Sequence, residues 1–119
     1  MNDFNWNEFY RLAKYLNTEY SFDCQEAVQR TIVSRAYYAA FCTAKEMLEN
    51  KYKITVPQDA TSHVYVRIEY KKQGRDEINS LLRDLKRHRN RCDYDKNVDD
   101  LHVLVNVALQ KSEEVITSL

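Results

Sequence analysis

The amino-acid sequence predicts an all-α fold, and three observations lead to this prediction. The chain has one glycine and one proline in 119 residues, which leaves few positions for the turns of a many-stranded sandwich or barrel. Apolar residues recur three and four positions apart over long stretches, as they do on the buried side of an amphipathic helix. The length suits one core, so we expect residues 1–119 to form a single domain.

The first two helices are predicted from their caps and their apolar spacing. Asn2 or Asp3 can cap a first helix that extends to about Leu16. A second and longer helix is expected over about residues 22–51. Its inward face mixes small and aromatic side chains, which indicates a helix at the centre of a bundle. These side chains are Ala36, Tyr37, Ala40, Phe41 and Ala44.

The remaining helices follow the loop around Pro57. Residues 63–72 alternate valine and isoleucine with polar residues, as a strand does. Because a lone strand in a helical chain would have no sheet to join, we favour a short helix that ends near Gly74. The apolar spacing then predicts a fourth helix over about residues 75–93 and a fifth over about 98–117.

The composition limits the kinds of partner and site. Eighteen basic and 18 acidic residues balance, so any contact with nucleic acid must be local. Three cysteines without a C-x-x-C pair favour reduced thiols over a disulfide framework or a zinc site. We expect no metal and no cofactor, since the chain lacks a Glu-x-x-His pair and a glycine-rich phosphate loop. No apolar run is long enough to cross a bilayer, so the sequence predicts a cytoplasmic protein without a membrane partner.

The fourth helix ends in an unusual stretch, RHRNRCDYD, over residues 87–95. The apolar stripe that includes Leu82 and Leu85 continues, at the same spacing, onto His88, Arg89 and Cys92. At least one basic side chain should therefore point the way the leucines point. Because half-buried cations need partners, we expect a functional site at this end of the helix.

Two segments resemble the HEPN family of small helical domains from prokaryotes. One is SRAYYAAFCTAKEML, residues 34–48, in which Ala36, Tyr37, Tyr38, Ala39 and Phe41 match the family's AYYA-F pattern. The other is RNRCDYD, residues 89–95, in which Arg89 and Asn90 match a motif arginine and the polar residue after it. The resemblance covers roughly residues 27–119 and includes TSHVYV, residues 61–66, which is similar to the start of the family's third helix.

The resemblance implies an up-and-down bundle of four to five helices that forms a homodimer, with the motif arginines facing a shared cleft. Many members are metal-independent endoribonucleases, often toxins controlled by a partner nucleotidyltransferase or another antitoxin. Others bind RNA, nucleotides or proteins without catalysis. For this chain the resemblance implies an RNA- or nucleotide-binding domain of a toxin–antitoxin or defence system, with or without endoribonuclease activity at a dimer cleft. The alternative is a catalytically silent dimeric adaptor for a nucleotidyltransferase or other protein.

The family's nuclease motif places a histidine a few residues after its arginine. Counted from Arg89, the corresponding positions hold Tyr94, Asp95 and Lys96. A second register starts at Arg83 and reaches His88 at the required spacing. We prefer the Arg89 register, because Arg83 is predicted to point away from the apolar stripe into solvent.

Arg89 and His88 are the first two candidates for catalysis. RNA cleavage without a metal needs fixed positive charge on the phosphate, a base, and a proton donor for the leaving oxygen. Arg89 suits the first role, since its planar fork binds phosphate bidentately; the alternative is an ion pair with Asp93 one turn later. His88 can act as a base or an acid near neutral pH, or pair with Asp84 one turn earlier.

Asn90 and Tyr94 complete the predicted catalytic set. Asn90 can contact a phosphate or a ribose, or simply orient Arg89 across the dimer. Tyr94 can stack on a base, transfer a proton, or pack as an aromatic residue at the end of a helix. The same helix carries a basic ridge that either follows a nucleic-acid backbone or forms an ordinary solvated face. The ridge consists of Arg83, Lys86, Arg87 and Arg91.

Overall fold

The computed structural model describes residues 3–19 and 23–119. These residues form helices and no strands, so the predicted all-α bundle is confirmed. The helices are α1 (Asn7–Thr18), α2 (Gln25–Asn50), α3 (Ser62–Lys72), α4 (Asp76–Tyr94) and α5 (Leu101–Ser118). None of these five helices combines the length and the apolar character that crossing a membrane requires.

Helix α2 lies at the centre and packs against each of the other four helices. Its alanines at positions 36, 40 and 44 are fully buried. The Ser112 hydroxyl of α5 donates a hydrogen bond to the Ala36 carbonyl at 2.7 Å, which requires the two helices to lie very close together. The prediction that small residues let a second backbone approach the central helix is therefore confirmed.

Helix α3 settles the choice between strand and helix at residues 63–72 in favour of the helix. The alternation is misleading because Val64 and Ile68 are exposed, whereas Val66 and Tyr70 are buried one turn apart. Gly74 ends the helix with φ of 77°. The Arg75 N–H donates back to the Tyr70 carbonyl at 2.9 Å, and the Gly74 N–H donates to the Lys71 carbonyl at 3.0 Å. Glycine suits this left-handed C-terminal cap because a Cβ would be strained there.

Replacing Tyr70 with phenylalanine should lower the free energy of unfolding by about 1 kcal/mol, the usual net value of one buried hydrogen bond. The Tyr70 hydroxyl is buried and donates to the Ala44 carbonyl of α2 at 2.7 Å. Urea denaturation followed by circular dichroism measures the change. Tyr15→Phe is the matched control, since Tyr15 is 61% exposed. An equal effect of the two substitutions would contradict the prediction.

The predicted boundaries need correction at the N-terminus. Asp3 does not cap α1, which begins at Asn7. The Asn5 side chain accepts a hydrogen bond from the Asn7 N–H at 3.0 Å, while the Phe4 and Trp6 rings pack edge to face at 5.0 Å. The Asn5 side chain thus satisfies an N–H of the first helical turn, which was the role predicted for Asp3. The other predicted cap, Asn2, and the predicted start of α2 near residue 22 lie outside the described residues.

Candidate functional site

The apolar stripe of α4 continues inward past Leu85, as the spacing predicts. Leu82, Leu85 and Cys92 are buried. His88 and Arg89 lie between them and are half-buried. The expectation that at least one basic side chain lies on the same face of α4 as the leucines is therefore confirmed.

The end of α4 is held by Arg30, a residue of α2 that the sequence analysis did not single out. Arg30 Nη1 donates to the backbone carbonyls of Cys92 at 2.8 Å and Asp95 at 2.7 Å. Its Nη2 donates to the Lys96 carbonyl at 3.2 Å. A cation suits this position because the last carbonyls of a helix have no partners within the helix and carry partial negative charge. Arg30 thereby fixes the segment that presents Tyr94.

Arg89 has polar partners on its own helix. Its Nε lies 2.8 Å from Asp93 Oδ2, and its Nη1 donates to Asn90 Oδ1 at 3.0 Å. The ion pair with Asp93, which the sequence left as an alternative, is therefore formed. Asn90 therefore contacts Arg89 within one copy of the chain, whereas its predicted role of orienting Arg89 across a dimer stays a prediction. Because only 17% of the Arg89 side chain is exposed, these partners compensate a largely buried charge.

Arg89 also belongs to an arginine–aromatic stack, which consists of Phe9, Arg35, Tyr38, Arg89 and Tyr94. The Arg35 guanidinium carbon lies 4.8 Å from the Phe9 ring centre and 4.9 Å from that of Tyr38. The Arg89 carbon lies 5.2 Å from the Tyr38 ring centre and 5.5 Å from that of Tyr94. These are cation–π distances. The stack connects α1, α2 and α4, and it ends at Tyr94, which is 74% exposed.

A groove of about 570 Å³ lies beside the exposed end of this stack. We call it the basic groove, since five cations and one carboxylate line it. All four residues of the predicted ridge line it. Two predicted catalytic residues, Asn90 and Tyr94, also line it, as does Arg67 of α3, which the sequence did not indicate. The lining residues are Arg67, Arg83, Lys86, Arg87, Asn90, Arg91, Tyr94 and Asp95.

Positive charge in the basic groove is only partly compensated. Arg83 Nε and Arg87 Nη2 lie 3.8 and 3.3 Å from Asp84 Oδ1, and Lys111 of α5 lies 3.3 Å from the other oxygen of the same carboxylate. The pKa of Lys86 is lowered, first by burial and then by the like charges of Arg89 and Arg67. An anion in the groove would relieve this repulsion, so the arrangement is suited to binding phosphate.

His88 is separate from the basic groove, and neither it nor Arg89 is among the described residues that line it. His88 Nδ1 is buried without a hydrogen-bond partner. The described ion pairs of Asp84 do not include the predicted one with His88. Burial, followed by the charge of Arg87, lowers the pKa of His88, and Asp84 opposes this effect. The ring is therefore mostly neutral at pH 7, and Lys111 of α5 is among the charges that act on it.

His63 of α3 is a second half-buried histidine, which the sequence did not indicate as a site residue, and Lys86 of the groove is among the charges that act on it. The Tyr37 hydroxyl and His63 Nδ1 are hydrogen-bonded, and the imidazole is stacked on the Phe41 ring at 4.4 Å. Burial, then Lys86, Arg89 and Lys45, lowers the pKa of His63 to about 4. Its signal in the sequence was weak because the alternation of residues 63–72 left the face of His63 undetermined.

The cysteines are all free. Burial raises the pKa of Cys42 to about 11 and also raises that of Cys92, so both remain protonated thiols at neutral pH. Within residues 3–19 and 23–119, no group of three or more histidine, cysteine or acidic side chains is arranged to hold a metal ion.

The site therefore combines three elements. These are a groove lined by cations, the exposed Tyr94 ring at its edge, and neutral His63 one turn before Arg67 on α3. Comparison of the chain with protein-family models, with curated proteins and with solved structures finds no match.

Proposed function

We propose that the protein binds RNA or a nucleotide through the basic groove, as a HEPN-like domain of a toxin–antitoxin or defence system. The observation that carries the proposal is the set of five cations that α3 and α4 bring together in one groove, which has a single carboxylate in its lining. The chain as a whole has no net charge. Attraction for phosphates is therefore concentrated at this groove and should fall steeply with salt.

Single-stranded RNA suits the groove better than a long duplex. Its volume of about 570 Å³ is in the range of sites that enclose a small ligand such as a nucleotide. Tyr94 offers an exposed ring beside the cations, and single-stranded nucleic acids are commonly bound by base stacking beside a positively charged groove. Bases in a duplex are paired and unavailable for such stacking.

Metal-independent cleavage of RNA belongs to the proposal as a further step. Arg89, Asn90, His88 and Tyr94 are its candidate residues, and a homodimer is the assembly that the resemblance implies. Neutral His88 can accept a proton, but His88 lies outside the basic groove within one copy of the chain. Binding is therefore the function that the geometry supports best.

A protein-binding adaptor is the second candidate, and a different surface supports it. An apolar groove of about 580 Å³ lies along the outer face of α3. Val64 and Ile68 contribute large exposed apolar side chains to it. Exposed apolar grooves of this kind are common at protein interaction sites. A nucleotidyltransferase or an antitoxin is the class of partner that the resemblance implies.

The proposal is tested with a 5′-labelled single-stranded RNA in EDTA. Fluorescence anisotropy measures binding, and denaturing gels of the same samples detect cleavage. Saturable binding that weakens with salt is the expected result. Cleavage that Arg89→Ala or His88→Ala removes would add nuclease activity. Absence of RNA binding by a folded protein, with its oligomeric state established by sedimentation, would contradict the proposal and favour the adaptor.

Tyr94→Ala should weaken binding of single-stranded RNA by about tenfold, because stacking of one base on an aromatic ring contributes roughly 1–3 kcal/mol. Tyr94→Phe retains the ring and should bind RNA as the wild type does. If the hydroxyl transfers a proton, Tyr94→Phe will lose cleavage while it keeps binding. Equal affinities of wild type and Tyr94→Ala, measured by anisotropy, would show that Tyr94 does not stack on a base.

A further inference from the structure

The hydrogen bond between Tyr37 and His63 fixes which imidazole nitrogen carries the proton. Tyr37 is buried, and burial raises the pKa of its hydroxyl, so the hydroxyl keeps its proton. Because His63 Nδ1 is the one partner of this hydroxyl among the described hydrogen bonds, we assign the hydroxyl as the donor and Nδ1 as the acceptor. His63 is neutral at pH 7, because burial and the charges of Lys86, Arg89 and Lys45 lower its pKa to about 4. A neutral imidazole has one N–H, which must then be on Nε2.

The plane of the His63 ring is fixed by aromatic neighbours. Phe41 stacks on it with ring centres 4.4 Å apart and planes inclined by 17°. The Tyr37 ring lies at 5.7 Å and 20°. Tyr37 and Phe41 are buried one turn apart on α2, the central helix. The direction of the Nε2–H bond is therefore set by the core, much as hydrogen-bonded neighbours orient a metal-bound histidine.

His63 packs against α2 and is not itself among the residues that line the basic groove, but it adjoins the groove along α3. It lies one turn before Arg67 on α3, so the two side chains share a face of that helix. Arg67 lines the groove, as does Lys86, which exerts the largest effect of any charge on His63. The His63 side chain is half-buried and thus still reachable from solvent.

We propose that His63 is a ligand-binding residue whose Nε2–H donates a hydrogen bond to a phosphate oxygen of the RNA or nucleotide bound in the basic groove. Tyr37 is the positioning residue that keeps His63 Nδ1 occupied. Because Nδ1 already accepts the Tyr37 hydrogen bond, His63 acts as a donor and not as the base of a cleavage reaction. This inference rests on the proposed function and extends its site from α4 to the start of α3.

Substitutions at His63 separate the donor from the packing of the ring. His63→Phe keeps an aromatic ring against Phe41 and removes the donor, and we expect about tenfold weaker binding of single-stranded RNA, as the loss of one charge-assisted hydrogen bond predicts. His63→Gln can place an amide N–H near the position of Nε2, so its affinity should stay within about threefold of wild type. His102→Phe is the matched control, since His102 is exposed on α5, and it should have no effect.

Nitrogen-15 NMR of histidine-labelled protein provides a readout that packing alone would not change. Before RNA is added, His63 should show a protonated Nε2 and an unprotonated Nδ1 between about pH 6 and 8. RNA should shift the Nε2–H signal, and Tyr37→Phe should weaken the preference for this tautomer. If His63→Phe does not fold, His63→Gln and the NMR signals of the wild type decide the question.

The outcomes distinguish this inference from the proposed function. RNA binding that His63→Phe leaves unchanged, while charge reversal in the basic groove abolishes it, would overturn the role of His63 and leave the proposed function standing. A protonated Nδ1 on His63, or an Nε2–H signal that RNA does not move, would also overturn it. A folded wild-type protein that binds no RNA or nucleotide would overturn both.

Discussion

Arg83→Glu combined with Arg87→Glu is expected to weaken binding of single-stranded RNA by about a hundredfold or more. Both side chains line the basic groove. If the groove binds RNA as proposed, each substitution removes one phosphate contact and adds a carboxylate that repels the RNA backbone. The slope of log affinity against log salt concentration should also become shallower by about 1.4, since about 0.7 counterions are released for each phosphate contact with a single strand. Anisotropy titrations at several salt concentrations measure both quantities.

The double variant should fold normally. The Arg83 and Arg87 side chains are 56% and 64% exposed, and their only ion-pair partner among the described residues is Asp84. Exposed ion pairs contribute little to stability. Asp84 also keeps its contact with Lys111 of α5. We therefore expect a melting temperature within a few degrees of the wild type, which circular dichroism measures.

Arg11→Glu combined with Lys14→Glu is the matched control for net charge. Arg11 and Lys14 are exposed on α1 and lie outside the basic groove. This variant has the same change of net charge, so it should reproduce only the weak long-range part of the effect. Equal losses of affinity in the two double variants would mean that RNA responds to the charge of the whole molecule and not to the groove.

The sequence predicted the α4 half of this site and missed the α3 half, for a physical reason. The stripe on α4 has a regular helical period, which placed Arg89 inward and gathered the ridge that includes Arg83 on one side of the helix. The valines and isoleucine of α3 alternate with polar residues, although Val64 faces solvent. Without a reliable period, His63 and Arg67 could not be assigned to a face, so the sequence did not predict that Arg67 lines the groove or that His63 lies one turn before it.

Contacts between helices are the second feature of the candidate site that could not be predicted from the sequence. It placed Tyr38 beside buried Tyr37 on α2, and it placed Arg89 on α4 with a possible partner one turn later. That partner, Asp93, is correct. The stacking of Arg89 between Tyr38 and Tyr94 depends on the way α2 and α4 pack, which local periodicity does not specify. The same holds for Arg30, whose hydrogen bonds reach more than 60 residues along the chain.

The stack has a consequence for Arg89, whose replacement should affect both stability and binding. Arg89→Ala removes two cation–π contacts and the ion pair with Asp93. Cation–π contacts contribute about 0.5–1 kcal/mol each at exposed sites and more when desolvated, so we expect the free energy of unfolding to fall by about 2 kcal/mol. RNA binding should weaken by about tenfold, because Asn90 and Tyr94 would lose the partner that orients them in the groove. Urea denaturation and anisotropy measure the two effects.

One further variant separates the charge of Arg89 from its shape, and a second serves as its control. Arg89→Lys keeps the charge, but an ammonium group lacks the planar fork that contacts Asn90 and Asp93 while it stacks on the rings. If geometry matters, Arg89→Lys will recover less than half of the lost stability. Arg83→Ala controls for loss of an arginine from the same helix and should change stability by no more than about 0.5 kcal/mol, since Arg83 is exposed.

A double-mutant cycle between Arg89→Ala and Tyr38→Leu then measures the stack directly. The two side chains belong to different helices, and their guanidinium-to-ring distance is 5.2 Å. A coupling energy of about 0.5 kcal/mol or more would show that the stack joins α2 to the groove. Additive effects would mean that Arg89 is held by its partners on α4, namely Asp93, Asn90 and Tyr94, and not by Tyr38. In that case Arg30 would be the link between α2 and the end of α4, and Arg30→Ala, rather than a change at Tyr38, should be the substitution on α2 that weakens RNA binding.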